Sequence, residues 1–220
     1  MEISVSRNIL EQNAVKSEEL RAGFRERGIF VLNIISSPGS GKTSLLERTL
    51  SALKDELKMA VIEGDVLTDN DARRVAATGA QAVQINTDGG CHLDSSMVSE
   101  ALGQLDLDGL DILFVENVGN LVCPAEFEVG EDVKIALLSV TEGDDKPQKY
   151  PLLFELSGVM VLNKTDLLPY VDFDMERAST FARKLNSGIE IFNVSCRTGE
   201  GLEGWYDWLR RKVREKKSAS

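Results

Sequence analysis

Residues 30–50 read FVLNIISSPGSGKTSLLERTL, and the reading of this stretch decides the fold. Residues 30–35 form a short apolar run with β-branched members, the pattern of a buried strand. The run passes into Ser36-Ser37-Pro38-Gly39-Ser40-Gly41-Lys42-Thr43 and then into the helical spacing of SLLERTL. The segment matches the phosphate-loop pattern G-x-x-x-x-G-K-[ST] except at Ser36, which stands where the first glycine usually does. Gly39 and Gly41 let backbone N–H groups curl around phosphates, and the start of the following helix aims its positive dipole end at the same anion. In such a loop Lys42 reaches the β- and γ-phosphates and the Thr43 hydroxyl binds Mg²⁺. Pro38, Ser40 and Ser44 complete the expected cradle. A plain glycine turn is the alternative, but it leaves the joint match of strand, loop and helix unexplained.

Working outward, further β-branched and apolar runs occur at AVIEGDV, AVQI, ILFVENVG, KIALLSV, VMVLN and IEIFNV. Amphipathic stretches separate most of them, which predicts an α/β fold with a mostly parallel sheet and helices on both faces. Before the first strand, Ile9, Leu10, Val15, Leu20 and Phe24 recur at helical spacing, and residues 25–28 look like the helix's polar ending. The expected organisation is a helical N-terminal extension over residues 1–28 and a P-loop domain over 29–220. There is no internal repeat, low-complexity tract or linker.

Composition narrows the partners. The chain has 220 residues, 42% hydrophobic and 28% charged, with a formal net charge of −11. So acidic a surface repels nucleic acid and anionic lipid, so neither is an expected partner. The apolar runs fall far short of the roughly 20 residues of a membrane helix, and MEISVSRNIL has no signal-peptide core. The expected location is the cytoplasm, where three separated cysteines stay reduced and suit metal or catalytic work better than disulfides. The basic WLRRKVREKK reads as the solvated face of a last helix.

Strand VMVLN leads to Asn163-Lys164-Thr165-Asp166. A carboxylate at Asp166 can accept hydrogen bonds from N1 and N2 of guanine, Asn163 can contact the O6 and N7 edge, and the Lys164 stem can cover the base. A site built from groups that only guanine satisfies discriminates strongly, so GTP is expected rather than ATP. Ser195-Cys196-Arg197, after IEIFNV, resembles the last guanine-contacting loop of GTPases, with Cys196 as a small loop residue. Asp65 and Glu116 stand at the carboxyl ends of two strands, where ligands sit in an open α/β sheet. Either can hold Mg²⁺ directly or through water, and the Gly119 N–H can sense the γ-phosphate. Asp69 reads as a helix cap, and Asp71 is open between the two roles.

The chain's only histidine, His92, follows Cys91 in NTDGGCHLDSS, behind AVQI. Cys123 lies four residues beyond Gly119, in the segment whose shape would depend on nucleotide state. Two thiolates and an imidazole suit Zn²⁺, Ni²⁺ or Cu⁺ and fall one ligand short of a closed tetrahedral site. Water, Glu126, Asp94 or a second subunit could supply the fourth. The competing reading is that these are small buried hydrophobes in loops.

Taken together, SSPGSGKT, EGDVLTDNDARR, NTDGGCHLDSSM, VENVGNLVCP and NKTDLLPY resemble the HypB family of hydrogenase nickel-insertion GTPases, of the SIMIBI class of P-loop GTPases. The resemblance covers nearly the whole chain. It implies that Cys91, His92 and Cys123 form a Ni²⁺ or Zn²⁺ site at the interface of a GTP-dependent homodimer. It implies GTP and Mg²⁺ as cofactors, and a HypA-like nickel carrier and a [NiFe] hydrogenase large-subunit precursor as partners. The sequence shows neither a Cys-rich nickel motif nor a His-rich stretch, so the switch-linked site would carry metal alone or receive it from a partner. No glutamine or arginine finger is evident, so slow intrinsic GTP hydrolysis is expected, with Lys42, Thr43, Asp65, Glu116 and Gly119 at its centre. A urease nickel-insertion GTPase is the nearest rival, but its Cys-Pro-His motif is replaced here by Cys123-Pro124-Ala125. A GTPase gatekeeper of a cobalamin enzyme is the second rival, and it has no use for Cys91 and His92.

Overall fold

The structure, a computed structural model, describes residues 5–65 and 74–219. Seven strands form one sheet: β1 (Phe30–Ser36), β2 (Met59–Asp65), β3 (Gln81–Asn86), β4 (Ile112–Glu116), β5 (Val133–Ser139), β6 (Ser157–Asn163) and β7 (Glu190–Asn193). Their order is β3-β2-β4-β1-β5-β6-β7, and every pairing is parallel. These are the seven runs expected from the sequence. β1 and β4 are buried along their whole length, as continuous apolar runs in a doubly covered parallel sheet should be.

Alternation along β1 distributes the core between two faces. Leu32 and Ile34 join a cluster with Leu45, Leu46 and Leu50 of the helix after the phosphate loop, and with Trp205, Leu209 and Trp208.

 Those leucines belong to α2 (Lys42–Leu53) and the tryptophans to the last helix, numbered α8 (Leu202–Ser218). Val31 points the other way, with Phe24 of α1 (Val5–Glu26) and with Val98 and Ala101 of α3 (Ser95–Leu102). Ile35 joins Leu153 and Phe154 of α6 (Pro151–Leu156) and Ala182 of α7 (Met175–Leu185) on that same side. Two further short helices are α4 (Cys123–Glu126) and α5 (Lys146–Lys149).

α1 ends where Gly28 takes a left-handed φ of 67° and the Ile29 N–H donates to the Phe24 carbonyl at 2.9 Å, a conformation that glycine adopts without the Cβ penalty. α8 buries Trp205 against Trp208 in a stacked pair 5.2 Å apart, and the Trp205 indole N–H donates to Thr49 Oγ1 at 3.0 Å. Its basic residues pair with acids, Arg210 with Glu56, Glu203 and Asp207 among them. Such exposed pairs contribute little each. Among the described residues, no helix is long and apolar enough to cross a membrane.

Trp205 is fully buried and links α8 to α2, so its removal leaves a large cavity and takes the indole donor from Thr49 Oγ1, whose own proton stays on the Leu45 carbonyl. Trp205→Ala should cost about 3–5 kcal/mol, read as a lower urea midpoint in equilibrium unfolding.

Candidate nucleotide and metal site

The loop between β1 and α2 emerges where β1 passes between β4 and β5, the place at which strand order reverses and ligands settle in open α/β sheets. Gly39 and Gly41 have φ of 76° and 104°. A Cβ on Gly41 would lie 2.4 Å from Asn163 Nδ2, so the position excludes any side chain on two counts. Ser36, the departure from the usual glycine, closes β1 fully buried. Its hydroxyl donates to Ser37 O at 2.7 Å and accepts from Lys42 Nζ at 3.2 Å. Ser40 Oγ donates to Glu142 Oε1 at 2.6 Å, a tether from the loop after β5 that the sequence reading missed.

Thr43 Oγ1 donates to Glu116 Oε1 at 3.0 Å, with both groups buried. A hydroxyl and a carboxylate side by side are hard oxygen donors of the kind Mg²⁺ takes, so these residues fit that ion. Asp65 closes β2; its side chain, like Asp69 and Asp71, lies outside the described residues. Gly119 rests against the phosphate loop: a Cβ there would meet Pro38 Cγ at 2.9 Å and the Pro38 backbone at 3.2 Å. The turn after β4 therefore rides directly on the phosphate loop.

A cavity of about 330 Å³ opens beside this loop, lined by Gly41, Ser44, Asn163, Lys164, Asp166, Leu167, Cys196 and Arg197. Another hollow, of about 370 Å³, lies near the amino-terminal ends of β2 and β3; the strand-end chemistry favours the first. The Asn163 carboxamide spans the cavity's base, donating to Ser40 O at 3.0 Å and accepting from the Cys196 N–H at 3.1 Å. Its side chain also hydrogen-bonds the Cys196 thiol, so it ties the phosphate loop to the last loop. Lys164 holds a left-handed φ of 64° and donates to Gly39 O at 2.6 Å, which stretches its stem across the cavity mouth. Asp166 Oδ1 accepts from Ser195 Oγ at 2.6 Å. Arg48 fastens the last loop from α2, donating to the carbonyls of Cys196 and Arg197. Burial pushes the Cys196 thiol up to about 11, so it is a packed residue and an inert one.

The other two cysteines behave differently. The Cys91, His92 and Cys123 ligand atoms all lie within 4.8 Å of one another, with Cys91 Sγ 3.5 Å from His92 Nδ1. Among the described residues this is the one group of three or more His, Cys, Asp or Glu side chains gathered closely enough to share an ion. A hydrogen bond with Cys123, then burial, holds the Cys91 thiol above its usual range, so an incoming metal must displace protons. Burial lowers the His92 imidazole, against the opposing charge of Asp94, and so favours the neutral form that binds metal. The His92 ring stacks on Phe127 at 3.8 Å, a contact with no signal in the sequence. Asp94 is committed as the cap of α3, accepting from the Met97 N–H at 2.8 Å.

Such a loop at the switch point of a parallel sheet defines a P-loop nucleotide-binding protein. The family described as CobW/HypB/UreG, nucleotide-binding domain, matches residues 30–193. The hydrogenase maturation factor HypB of Azotobacter vinelandii is 54% identical over 211 residues, 96% of this chain and 69% of that protein. The crystal structure of HypB from Helicobacter pylori in complex with nickel is similar at a TM-score of 0.88 and 39% identity, covering 93% of this chain and 96% of that one. The signal recognition particle 54 kDa protein of Aeropyrum pernix, at 13% identity and a TM-score of 0.56, over 92% of this chain and 54% of that one, shares the fold alone. The chain belongs to the HypB family of hydrogenase maturation factors.

Gly41→Ala should abolish nucleotide binding, because the new methyl meets Asn163 and the φ of 104° is strained for alanine. Titration with a fluorescent guanine nucleotide, alongside a circular-dichroism check of folding, reads this directly. Alkylation at alkaline pH should modify the exposed Cys91, more slowly than an unperturbed thiol because its thiolate is disfavoured, and leave the buried Cys196 unmodified until the chain unfolds, as mass spectrometry of the labelled peptides can resolve.

Proposed function

We propose that this protein is a slow GTPase that controls the delivery of nickel to a [NiFe] hydrogenase precursor. The observation that carries the reading is the convergence of the Cys91, His92 and Cys123 ligand atoms beside the turn that touches Pro38 through Gly119. Asp166 and Asn163 would read guanine, with Lys164 over the base and Ser195, Cys196 and Arg197 closing its edge. Pro38, Gly39, Ser40, Gly41, Lys42, Thr43 and Ser44 would hold the phosphates. Thr43, with Glu116 or Asp65, would hold Mg²⁺, which supplies charge neutralisation on the phosphates. Lys42 would leave Ser36 for the β- and γ-phosphates, and the Gly119 N–H would meet the γ-phosphate.

Nickel is cargo in this scheme. The two thiolates and the imidazole would hold it, with a fourth position filled by water, Glu126 or a second copy of the chain. The family's named role in hydrogenase maturation supports a nickel-free hydrogenase large subunit as the recipient and a HypA-like carrier as a partner. GTP would order the turn after β4, pair two chains and shift Cys123 relative to Cys91 and His92. Hydrolysis would reverse this and change nickel affinity by roughly 5–150-fold. The 29–220 unit would do this work, with residues 1–28 as its helical extension, in the cytoplasm.

The test is equilibrium nickel binding to protein loaded with GDP and with a non-hydrolysable GTP analogue, with oligomeric state read on the same samples. Equal affinity in the two states contradicts the reading. Base selection has its own test. Asp166→Asn should weaken GTP binding by about 100-fold or more, since each hydrogen bond to a charged group contributes roughly 1.5–3 kcal/mol. The same variant should gain affinity for xanthosine triphosphate, whose 2-carbonyl accepts the hydrogen that an asparagine donates.

A further inference from the structure

Two asparagines in the segment after β4, Asn117 and Asn120, bracket His92 from either side. Asn117 is fully buried, next to the Glu116 that meets Thr43. Its Oδ1 accepts from the N–H of Leu93, the residue after His92, and from the N–H of Val118, each at 3.0 Å. Its Nδ2 donates to Asn33 Oδ1 at 3.1 Å, and Asn33 Nδ2 donates in turn to Glu131 Oε1 at 3.3 Å. Rotating the Asn117 side chain would strand buried polar groups at both ends, so its position is set by the core. Asn120 completes the bracket. Its Nδ2 donates to the carbonyl of Cys91 at 3.1 Å, and its Oδ1 accepts at 3.0 Å from the N–H of Val122, the residue before Cys123. One side chain therefore fastens the backbone of one ligand-bearing segment to that of the other.

We propose that Asn117 and Asn120 are positioning residues that fasten the Cys91-His92 loop to the turn after β4, so that movement of that turn is transmitted to the metal ligands. The proposal rests on the nickel–nucleotide reading above. It makes the response of the metal site depend on two carboxamides that touch neither metal nor nucleotide. Without them the ligand set remains, but its two arms are no longer held in step.

Nickel affinity is measured in the GDP and GTP-analogue states for the wild-type chain, Asn120→Ala and Asn117→Ala, together with the thiolate-to-nickel charge-transfer band. The wild type should show the roughly 5–150-fold difference between states. In both variants the ratio should fall towards one and the band should become the same in both states. Amide exchange at Leu93, read without metal, should accelerate in Asn117→Ala. Should the buried Asn117 variant fail to fold, Asn120→Ala, on a half-buried position, still decides the matter. Equal weakening in both states with the ratio preserved, as a merely structural role would give, overturns the proposal and leaves the nickel–nucleotide reading standing. A wild-type ratio of one contradicts that reading, and the positioning role falls with it.

Discussion

Because every strand of the sheet is parallel, all the loops that carry chemistry leave it at one edge. β4 lies beside β1 with Glu116 opposite Ile34, so the turn after β4 emerges next to the phosphate loop. β3 is two strands from β4, a gap of roughly 10 Å at the usual spacing between strands. Residues 87–92 cross that gap over the end of β2 and bring Cys91 and His92 to Cys123. The gathering of these three side chains is thus a consequence of strand order as much as of the residues themselves.

Polar groups inside the sheet hold that edge in place. Asn33 interrupts the apolar run of β1, and Asn117 follows β4. With Glu131 and the Lys134 ammonium 3.1 Å from it, they form a buried chain running beneath the site. α1 fastens the neighbouring segments from outside: Asn13 Oδ1 accepts from the Ser95 N–H and hydroxyl, both at 2.8 Å, and its Nδ2 donates to Glu128 O at 2.9 Å. One side chain of the first helix thereby touches the segments that follow both His92 and Cys123. Buried polar groups are costly unless satisfied, so each such link also fixes a unique arrangement of the loops around it.

The apolar runs and the glycine pattern made the sheet and the phosphate loop legible, because burial and positive φ leave strong signatures in residue choice. The Asn163–Asp166 tetrapeptide and the Cys91-His92 pair stood out for the same reason: few residue types perform their chemistry. What the sequence hid were contacts between residues far apart along the chain. Ser40 with Glu142, His92 with Phe127 and Asn13 with Ser95 have no local pattern, and Asn33 looks like a blemish in a strand until its partners are known. The order of the strands was hidden as well, since a βαβ rhythm predicts parallel pairing without saying which strand neighbours which. Ser36, a departure from the usual motif, proves to be a buried hydroxyl that receives Lys42.

The proposed nickel site requires that the two thiols and the imidazole share one ion beside the nucleotide loop. X-ray absorption at the nickel edge of the GTP-analogue-loaded protein tests it most directly. A shared ion should show sulfur scatterers at the short distance of thiolate ligation together with the multiple-scattering signature of imidazole. A nickel shell of nitrogen and oxygen alone would contradict it.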